Sequence, residues 1–341
     1  MIRIAVVGLG FIGKVHLGAY NSIPEAEVVA ICDIRPGQLN LENAPPVGNL
    51  DVAAVESRFL GASKFGDLDS LFEAGGFDAV DICLPTFLHA EYTVRSLDAG
   101  YHVFCEKPMA LDSRETKSML DAVARTATGS ASGSERILQI GHCLRFWPAY
   151  VELKKMIDNR TFGEVRSASF TRLASRPNWT WGDWILDPGK SGSAALDLHV
   201  HDVDMVRWLF GEPTAISSHG LIENGGVGHV VSEYSFENDI LVRAEGGWMC
   251  SDGFPFRMQA LVMTDRGTIE LDSMKENMLT VYEGGEERSI DLNPADGFRA
   301  ELEAFVGAVA SNTPVGELTP EDSAKSVSLC LREIEAVMQN R

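Results

Sequence analysis

The sequence predicts an α/β protein: a doubly wound parallel sheet at the N-terminus, then an α/β domain with an open, mainly antiparallel sheet. Three observations carry this. Short apolar runs alternate with amphipathic stretches through the first third of the chain, the pattern of strand–helix–strand units. After about Cys143 the pattern changes to a series of β-rich runs with little helix between them, as in an antiparallel sheet. The 341 residues, 45% apolar and 23% charged, suit two domains of ordinary size with ample core. The division is expected at 1–143 and 144–341.

Ile2–Val7 is apolar apart from Arg3, as a strand covered on both faces must be. Gly10 to Asn21 reads as a helix that stops before Pro24. Strands follow at Glu27–Cys32, Ala79–Leu84, His102–Cys105 and Ile137–Gly141, with helices at Asp67–Ala74, His89–Ala99 and from Asp112 to about Ala127. Glu115 stands three residues after Asp112, the spacing of a capping box. Pro36–Gly48 reads as a surface insertion and Thr126–Ser134, small and polar, as a loop. In the second domain a helix at Pro148–Asn159 leads through Gly163 into a strand at Val165–Arg172. A tryptophan-rich segment and a helix to Phe210 precede β-rich runs at Ala215–Gly220, His229–Phe236, Ile240–Met249, Phe256–Met263, Gly267–Leu271 and Leu279–Tyr282. Helices at Phe298–Ser311 and Pro320–Asn340 close the chain, the second with Thr319 as its cap and Pro320 in its first position.

Charge and cysteine usage narrow the function. Lys plus Arg is 29 against 49 Asp plus Glu, a formal charge of −20, which repels nucleic acid and anionic membranes at long range. A local phosphate site survives that charge, because backbone amides at a helix N-terminus bind phosphate directly. No apolar stretch is long enough to span a bilayer, and the N-terminus lacks the features of a secretory signal. Six cysteines are scattered without a CxxC pair, so a reducing cytoplasm is expected.

Gly8, Gly10 and Gly13 form a GxGxxG turn, with Phe11 and Ile12 inside it, directly after the first strand and opening the first helix. Such a turn bends tightly, admits a pyrophosphate and packs helix on strand. Asp33 follows twenty residues after Gly13 at the end of the second strand, where a carboxylate accepts from the adenosine ribose hydroxyls. NAD in a Rossmann domain is the expected cofactor. Arg35 keeps NADP open, since a guanidinium there accepts a 2′-phosphate.

Two segments carry the candidate chemistry. Glu106-Lys107-Pro108 lies just past the C-terminal end of a strand, where open α/β sheets place their ligands. Further on, Asp197 and His201 are four residues apart and share one face if a helix starts near Ala195. A carboxylate beside an imidazole holds its tautomer and suits a general acid–base. His199 and Asp202 are read as mainly structural. A metal held by these four donors is the rival reading, against which stands the radial spread of successive helical side chains.

In order along the chain, these residues carry a resemblance. They comprise Gly8–Gly13 with His16, Asp33, Cys83-Leu84-Pro85-Thr86 with His89, and Glu106-Lys107-Pro108. Arg145-Phe146 with Pro148 and Tyr150 follow, then Gly163-Glu164-Val165, and Asp197, His201 and Asp204 before Trp208-Leu209-Phe210-Gly211. The chain resembles the Gfo/Idh/MocA oxidoreductases, the group of glucose–fructose oxidoreductase and inositol dehydrogenase. The resemblance implies a Lys107–Asp197–His201 catalytic set and a cofactor site lined by Pro85, Thr86, His89 and Glu106. It also implies an oligomer built on the open sheet, dimer or tetramer. Where the family has a glycine triplet, this chain has Gly192-Ser193-Ala194.

The expected activity is hydride transfer between nicotinamide and a secondary hydroxyl of a sugar, sugar derivative or polyol. His201 would move the hydroxyl proton and Lys107 would steady the oxygen. Substrate-side candidates are Arg145, Trp179, Trp181 and His201; the tryptophans offer aromatic faces to a sugar ring or fill the core. A redox-assisted glycosidase with tightly held NAD and a non-catalytic NAD sensor are the alternatives.

Overall fold

The computed structural model describes residues 1–41, 61–129, 135–292 and 296–340. They divide into two compact units. One joins Met1–Gly141 with Trp179–Trp184 and Phe298–Lys325; the other joins His142–Asn178 with Ile185–Gly297 and Ser326–Arg341. The expected linear division at 143/144 is therefore interleaved, with two later segments returning to the first unit.

In the first unit, strands β1 (Ile2–Val7), β2 (Ala26–Cys32), β3 (Ser63–Phe65), β4 (Ala79–Ile82), β5 (His102–Glu106) and β6 (Leu138–Gly141) alternate with helices α1 (Phe11–Tyr20), α2 (Leu68–Ala74), α3 (His89–Asp98) and α4 (Ser113–Gly129). The strands form one sheet in the order β3-β2-β1-β4-β5-β6, parallel throughout. This is the doubly wound order whose switch point lies at β1 and β4. Helix starts follow the sequence. Asp67 caps α2 by accepting from Ser70 N at 2.8 Å, and Asp112 accepts from Glu115 N at 2.9 Å. Glu115 reaches back to Leu111 N at 2.9 Å, one residue earlier than a strict capping box. Helix α4 runs to Gly129, through the first part of the expected loop at Thr126–Ser134. Of Pro36–Gly48, Pro36–Leu39 form a single 3₁₀ turn; 42–60 and 130–134 lie outside the described residues.

The second unit opens with α5 (Pro148–Asp158), followed by β7 (Val165–Ser175), α6 (Pro188–Ser191), α7 (Ser193–Asp197) and α8 (Val200–Phe210). Strands β8 (Ala215–Glu223), β9 (Gly226–Ser235), β10 (Leu241–Cys250), β11 (Arg257–Thr264), β12 (Gly267–Asp272), β13 (Leu279–Glu283) and β14 (Glu286–Ser289) complete it. The sheet order is β14-β13-β12-β11-β7-β10-β9-β8. Every pair is antiparallel except β7 with β10. Strand alternation gives the sheet two faces. Ala168, Phe170, Val242, Ala244, Ala260 and Val262 are buried on one. On the other, Leu241, Leu261 and Met263 remain 63%, 41% and 45% exposed.

Helix α9 (Gly297–Ser311) packs Leu302, Phe305, Val306 and Val309 into the core of the first unit, among Ile4, Leu17 and Phe104. Phe305 meets Phe104 edge-on at 5.6 Å. Helix α10 (Pro320–Gln339) is shared by the two units, dividing at Lys325. Thr319 Oγ1 accepts from Asp322 N at 3.2 Å, so the expected cap is in place.

Candidate active site

In the first unit the candidate residues gather around the turn after β1. Gly8 has φ +92°, and a Cβ there would lie 2.5 Å from Cys83 O. A Cβ on Gly13 would lie 1.9 Å from Gly8 O, so the helix approaches the end of β1 this closely only because Gly13 lacks a side chain. Gly10 is different: nothing stands within 4 Å of its missing Cβ. Helix α1 begins there, and the amides of its first turn, those of Phe11, Ile12 and Gly13, have no partner within the helix. The cradle fits a dinucleotide pyrophosphate. Asp33 completes it, its buried Oδ2 accepting from Leu9 N at 2.9 Å. Arg35 lies against the same carboxylate, with Nε 3.0 Å from Oδ1 and Nη2 2.9 Å from Oδ2. Burial alone would raise the Asp33 pKa, but the hydrogen bonds from Arg35 and Leu9 hold it below the usual carboxylate value. Trp181 sits 5.6 Å from the Arg35 guanidinium, placing it with the cofactor turn.

The loops after β4 and β5 come together at His89. Its Nε2 is 2.8 Å from Leu84 O and its Nδ1 is 2.8 Å from Pro108 O. Burial lowers the His89 pKa and the two carbonyls oppose that shift; a neutral ring donates to only one of them at a time. His89 thus lies between the loop carrying Pro85 and Thr86 and the loop carrying Lys107, each ring nitrogen facing a backbone carbonyl and one of them donating. Thr86 is buried and Lys107 half-buried. Glu106 is buried too, its Oε2 3.2 Å from Lys107 N. Its other oxygen is 3.2 Å from His16 Nε2, and Gly141 leaves room for it, since a Cβ there would lie 2.9 Å from Oε1.

His16 is the residue that sequence reading undervalued. Its Nδ1 is 2.9 Å from Asp81 Oδ2 and 3.2 Å from Cys83 Sγ. Burial alone disfavours the imidazolium; Cys83 and Asp81 outweigh it, raising the pKa well above the ordinary value. The available signal was Asp81 itself, a charge inside the apolar run Ala79–Ile82, where a doubly covered strand tolerates none without a partner.

In the second unit, the expected continuous helix from near Ala195 is broken. Helix α7 ends at Asp197 and α8 begins at Val200, with Leu198 N and His199 N both donating to Ala194 O at 3.0 and 2.9 Å. The break lets His199 turn inward, its Nε2 3.2 Å from buried Glu333. Gly246 makes the space, since a Cβ there would lie 2.6 Å from His199 Nδ1. Asp202 is bound to buried Arg172 at 2.8 and 3.1 Å. Two of the four donors weighed for a metal are thereby engaged elsewhere. From Ser193 to Arg207, Asp197 and His201 alone keep part of their surface open. Buried Arg145 grips Asp204, Nε to Oδ2 at 2.8 Å and Nη2 to Oδ1 at 2.7 Å. Its guanidinium is committed to holding α8. Trp179 is half-buried and groups with Trp181 in the first unit.

Two family models match this chain. Residues 2–129 match the oxidoreductase family with an NAD-binding Rossmann fold, and residues 150–270 match the GFO/IDH/MocA C-terminal domain. The chain belongs to the Gfo/Idh/MocA oxidoreductase family. Its cofactor is NAD. Among similar curated proteins, inositol 2-dehydrogenase of Rhizobium meliloti (strain 1021) is 25% identical, with 100% of this chain and 98% of that protein covered. The scyllo-inositol 2-dehydrogenase (NAD(+)) of Bacillus subtilis (strain 168) is 27% identical, with 92% and 88% covered. Among solved structures, a levoglucosan dehydrogenase complex with NADH and levoglucosan superposes with a TM-score of 0.82 at 21% identity, covering 100% of this chain and 98% of that one. The WlbA dehydrogenase of Bordetella pertussis, with NADH and UDP-GlcNAcA, gives 0.79 at 20% identity, covering 100% and 97%. Both structures share the fold. Among the described residues no helix is long and apolar enough to cross a membrane.

Proposed function

We propose that this Gfo/Idh/MocA protein is a dehydrogenase of a secondary hydroxyl on a sugar, sugar derivative or polyol, with inositol-like rings the first class to test. The observation that carries this reading is the selective exposure of Asp197 and His201 in an otherwise buried segment, the pattern of residues kept for a ligand. The names of its relatives, which include inositol and glucoside dehydrogenases, support the substrate class.

In this reading NAD, when bound, supplies the hydride acceptor. His201 takes the proton from the substrate hydroxyl and Asp197 holds the imidazole in the tautomer that can receive it. Lys107 donates to the same oxygen and stabilises the charge that builds on it as the proton leaves. Its backbone N–H is held by Glu106, which fixes the turn from which the ammonium projects. Residues 1–143 carry the cofactor and 144–341 the substrate, with Trp179–Trp184 serving the cofactor part.

Two further assignments belong to the proposal. The exposed Leu241, Leu261 and Met263 on one sheet face form an apolar surface suited to a homo-oligomer, a dimer or tetramer. None of the six cysteines forms a disulfide, which suits a reducing cytoplasm.

The test is reduction of NAD, and separately NADP, by purified protein with inositols, aldoses, anhydrosugars and nucleotide sugars, with Lys107→Ala alongside. Turnover in the wild type that falls about 10²–10⁴-fold in the variant supports the reading. Equal turnover in both removes Lys107 from the chemistry, and no turnover with any member of the panel removes the substrate class.

A further inference from the structure

We propose that Trp181 is a binding residue for the adenosine end of NAD, acting with Arg35, and is not a substrate residue.

The segment Trp179–Trp184 groups with the first unit although the chain on both sides of it belongs to the second. It reaches this position through Gly182 and Asp183, at φ +59° and +50°, a region that a residue with a side chain seldom occupies without compensation. The bend delivers Trp181 to Arg35, 5.6 Å from guanidinium carbon to ring centroid. Trp181 nevertheless remains 54% exposed, so much of a large aromatic surface is left open beside the cofactor turn.

Arg35 explains what that surface is for. A carboxylate has about four acceptor positions, and all four of Asp33 are taken. Oδ1 accepts from Arg35 N at 2.8 Å and Arg35 Nε at 3.0 Å; Oδ2 accepts from Leu9 N and Arg35 Nη2, each at 2.9 Å. In this fold the same carboxylate receives the adenosine ribose hydroxyls. The ribose must therefore displace at least one guanidinium hydrogen bond, and the backbone bonds cannot move aside without opening the turn. A guanidinium released from a carboxylate keeps its charge and still stacks on an indole face. Trp181 holds Arg35 when the ribose takes its place on Asp33, and the guanidinium's opposite face is then free for the flat adenine ring. Lys14 on α1 is a second cation near this pair, its pKa lowered by part burial and by the charge of Arg35.

The test measures affinity without any substrate, so it stands whether or not the proposed substrate class is right. NAD and ADP-ribose, which lacks nicotinamide, are titrated calorimetrically into wild type, Trp181→Ala, Trp181→Phe, Arg35→Ala and the Trp181→Ala/Arg35→Ala double variant. The expected result is a loss of about two- to thirtyfold for both ligands in Trp181→Ala, the range of a cation–π contact. Trp181→Phe should restore most of it, and the double variant should bind no more weakly than Arg35→Ala alone. Unchanged ADP-ribose affinity in Trp181→Ala overturns the proposal, as do full additivity in the double variant and a defect confined to the Michaelis constant of the sugar or polyol.

Discussion

His16 Nε2 stands 3.2 Å from Glu106 Oε1, an ion-pair contact inside the first unit that ties helix α1 to the residue preceding Lys107. A neutral ring donates from only one nitrogen, so facing Glu106 at Nε2 and Asp81 at Nδ1 together favours the charged imidazole. Removing one member of a buried pair leaves the other charged and unpaired, at a cost of about 3–5 kcal/mol. His16→Asn is therefore expected to lower the unfolding free energy by that amount in denaturant titration.

The pH dependence of that loss has a fixed sign. The folded-state pKa of His16 is raised above an unfolded value near ~6.5. Its contribution is fully present below ~6.5 and is lost as pH rises through the folded value. The destabilisation caused by His16→Asn should thus be largest in mild acid and shrink in alkali. A difference that grows as pH rises would show that the imidazole is neutral in the folded protein.

The two inner glycines should separate folding from cofactor binding. A Cβ on Gly13 meets Gly8 O at 1.9 Å, so Gly13→Ala forces helix from strand and should lower Tm and NAD affinity together. A Cβ on Gly10 meets nothing within 4 Å, so Gly10→Ala should melt within ~0.5 kcal/mol of wild type. It should still bind NAD at least tenfold more weakly, a loss of about 1.4 kcal/mol, because the methyl occupies the pyrophosphate's approach. Thermal melts with and without NAD distinguish the two.

Arg145 is expected to report on stability and not on substrate affinity. It grips Asp204, which also accepts from Ser326 Oγ at 2.8 Å. Burial alone would raise the Asp204 pKa, but His142 and Arg145 depress it strongly. That stability is present above ~3.9, the unfolded value, and is lost as pH falls through the folded one. Asp204→Asn should therefore be costly at neutral pH, by about 3–5 kcal/mol, and cost progressively less toward strong acid. Arg145→Met should lower Tm with the substrate's Michaelis constant unchanged; a raised Michaelis constant at normal Tm would return Arg145 to the substrate.

The corner between α7 and α8 makes a fourth prediction. Gly246→Ala places a Cβ 2.6 Å from His199 Nδ1 and must push the corner that carries Asp197 and His201. The turnover number should fall while NAD affinity, set in the first unit, stays within twofold, about 0.4 kcal/mol. Equal losses in both would point to general unfolding.

Local signals in the sequence were enough for most elements. The apolar runs of β1 and β4, the GxGxxG turn, Asp112 and Thr319 as caps, and the alternating strands of the second sheet all express short-range rules. What escaped was set by partners far away in the chain. Strand β14 is exposed along all four residues and so has no periodicity to read, while β3 has only three. The parallel pairing of β7 with β10 joins strands separated by three α-helices and two strands. The break at Leu198 brings His199 against Gly246 and Glu333, and the return of Trp179–Trp184 to the first unit brings Trp181 against Arg35. In the candidate site, residue types were legible, but which of them face a ligand and which brace the scaffold was not. His89 and Arg145 carry attractive chemistry yet bind backbone and Asp204, and His16 drew less notice than either.

Hydride transfer from a carbinol carbon leaves an isotopic trace. A panel substrate carrying deuterium on its carbinol carbons is oxidised with NAD, and the reduced cofactor is weighed by mass spectrometry, with wild type and His201→Ala in parallel. One deuterium is expected in the reduced cofactor from the wild type, with a rate lower by about 10²–10⁴-fold in the variant. Reduced cofactor without deuterium, or an undiminished rate in His201→Ala, would contradict this chemistry.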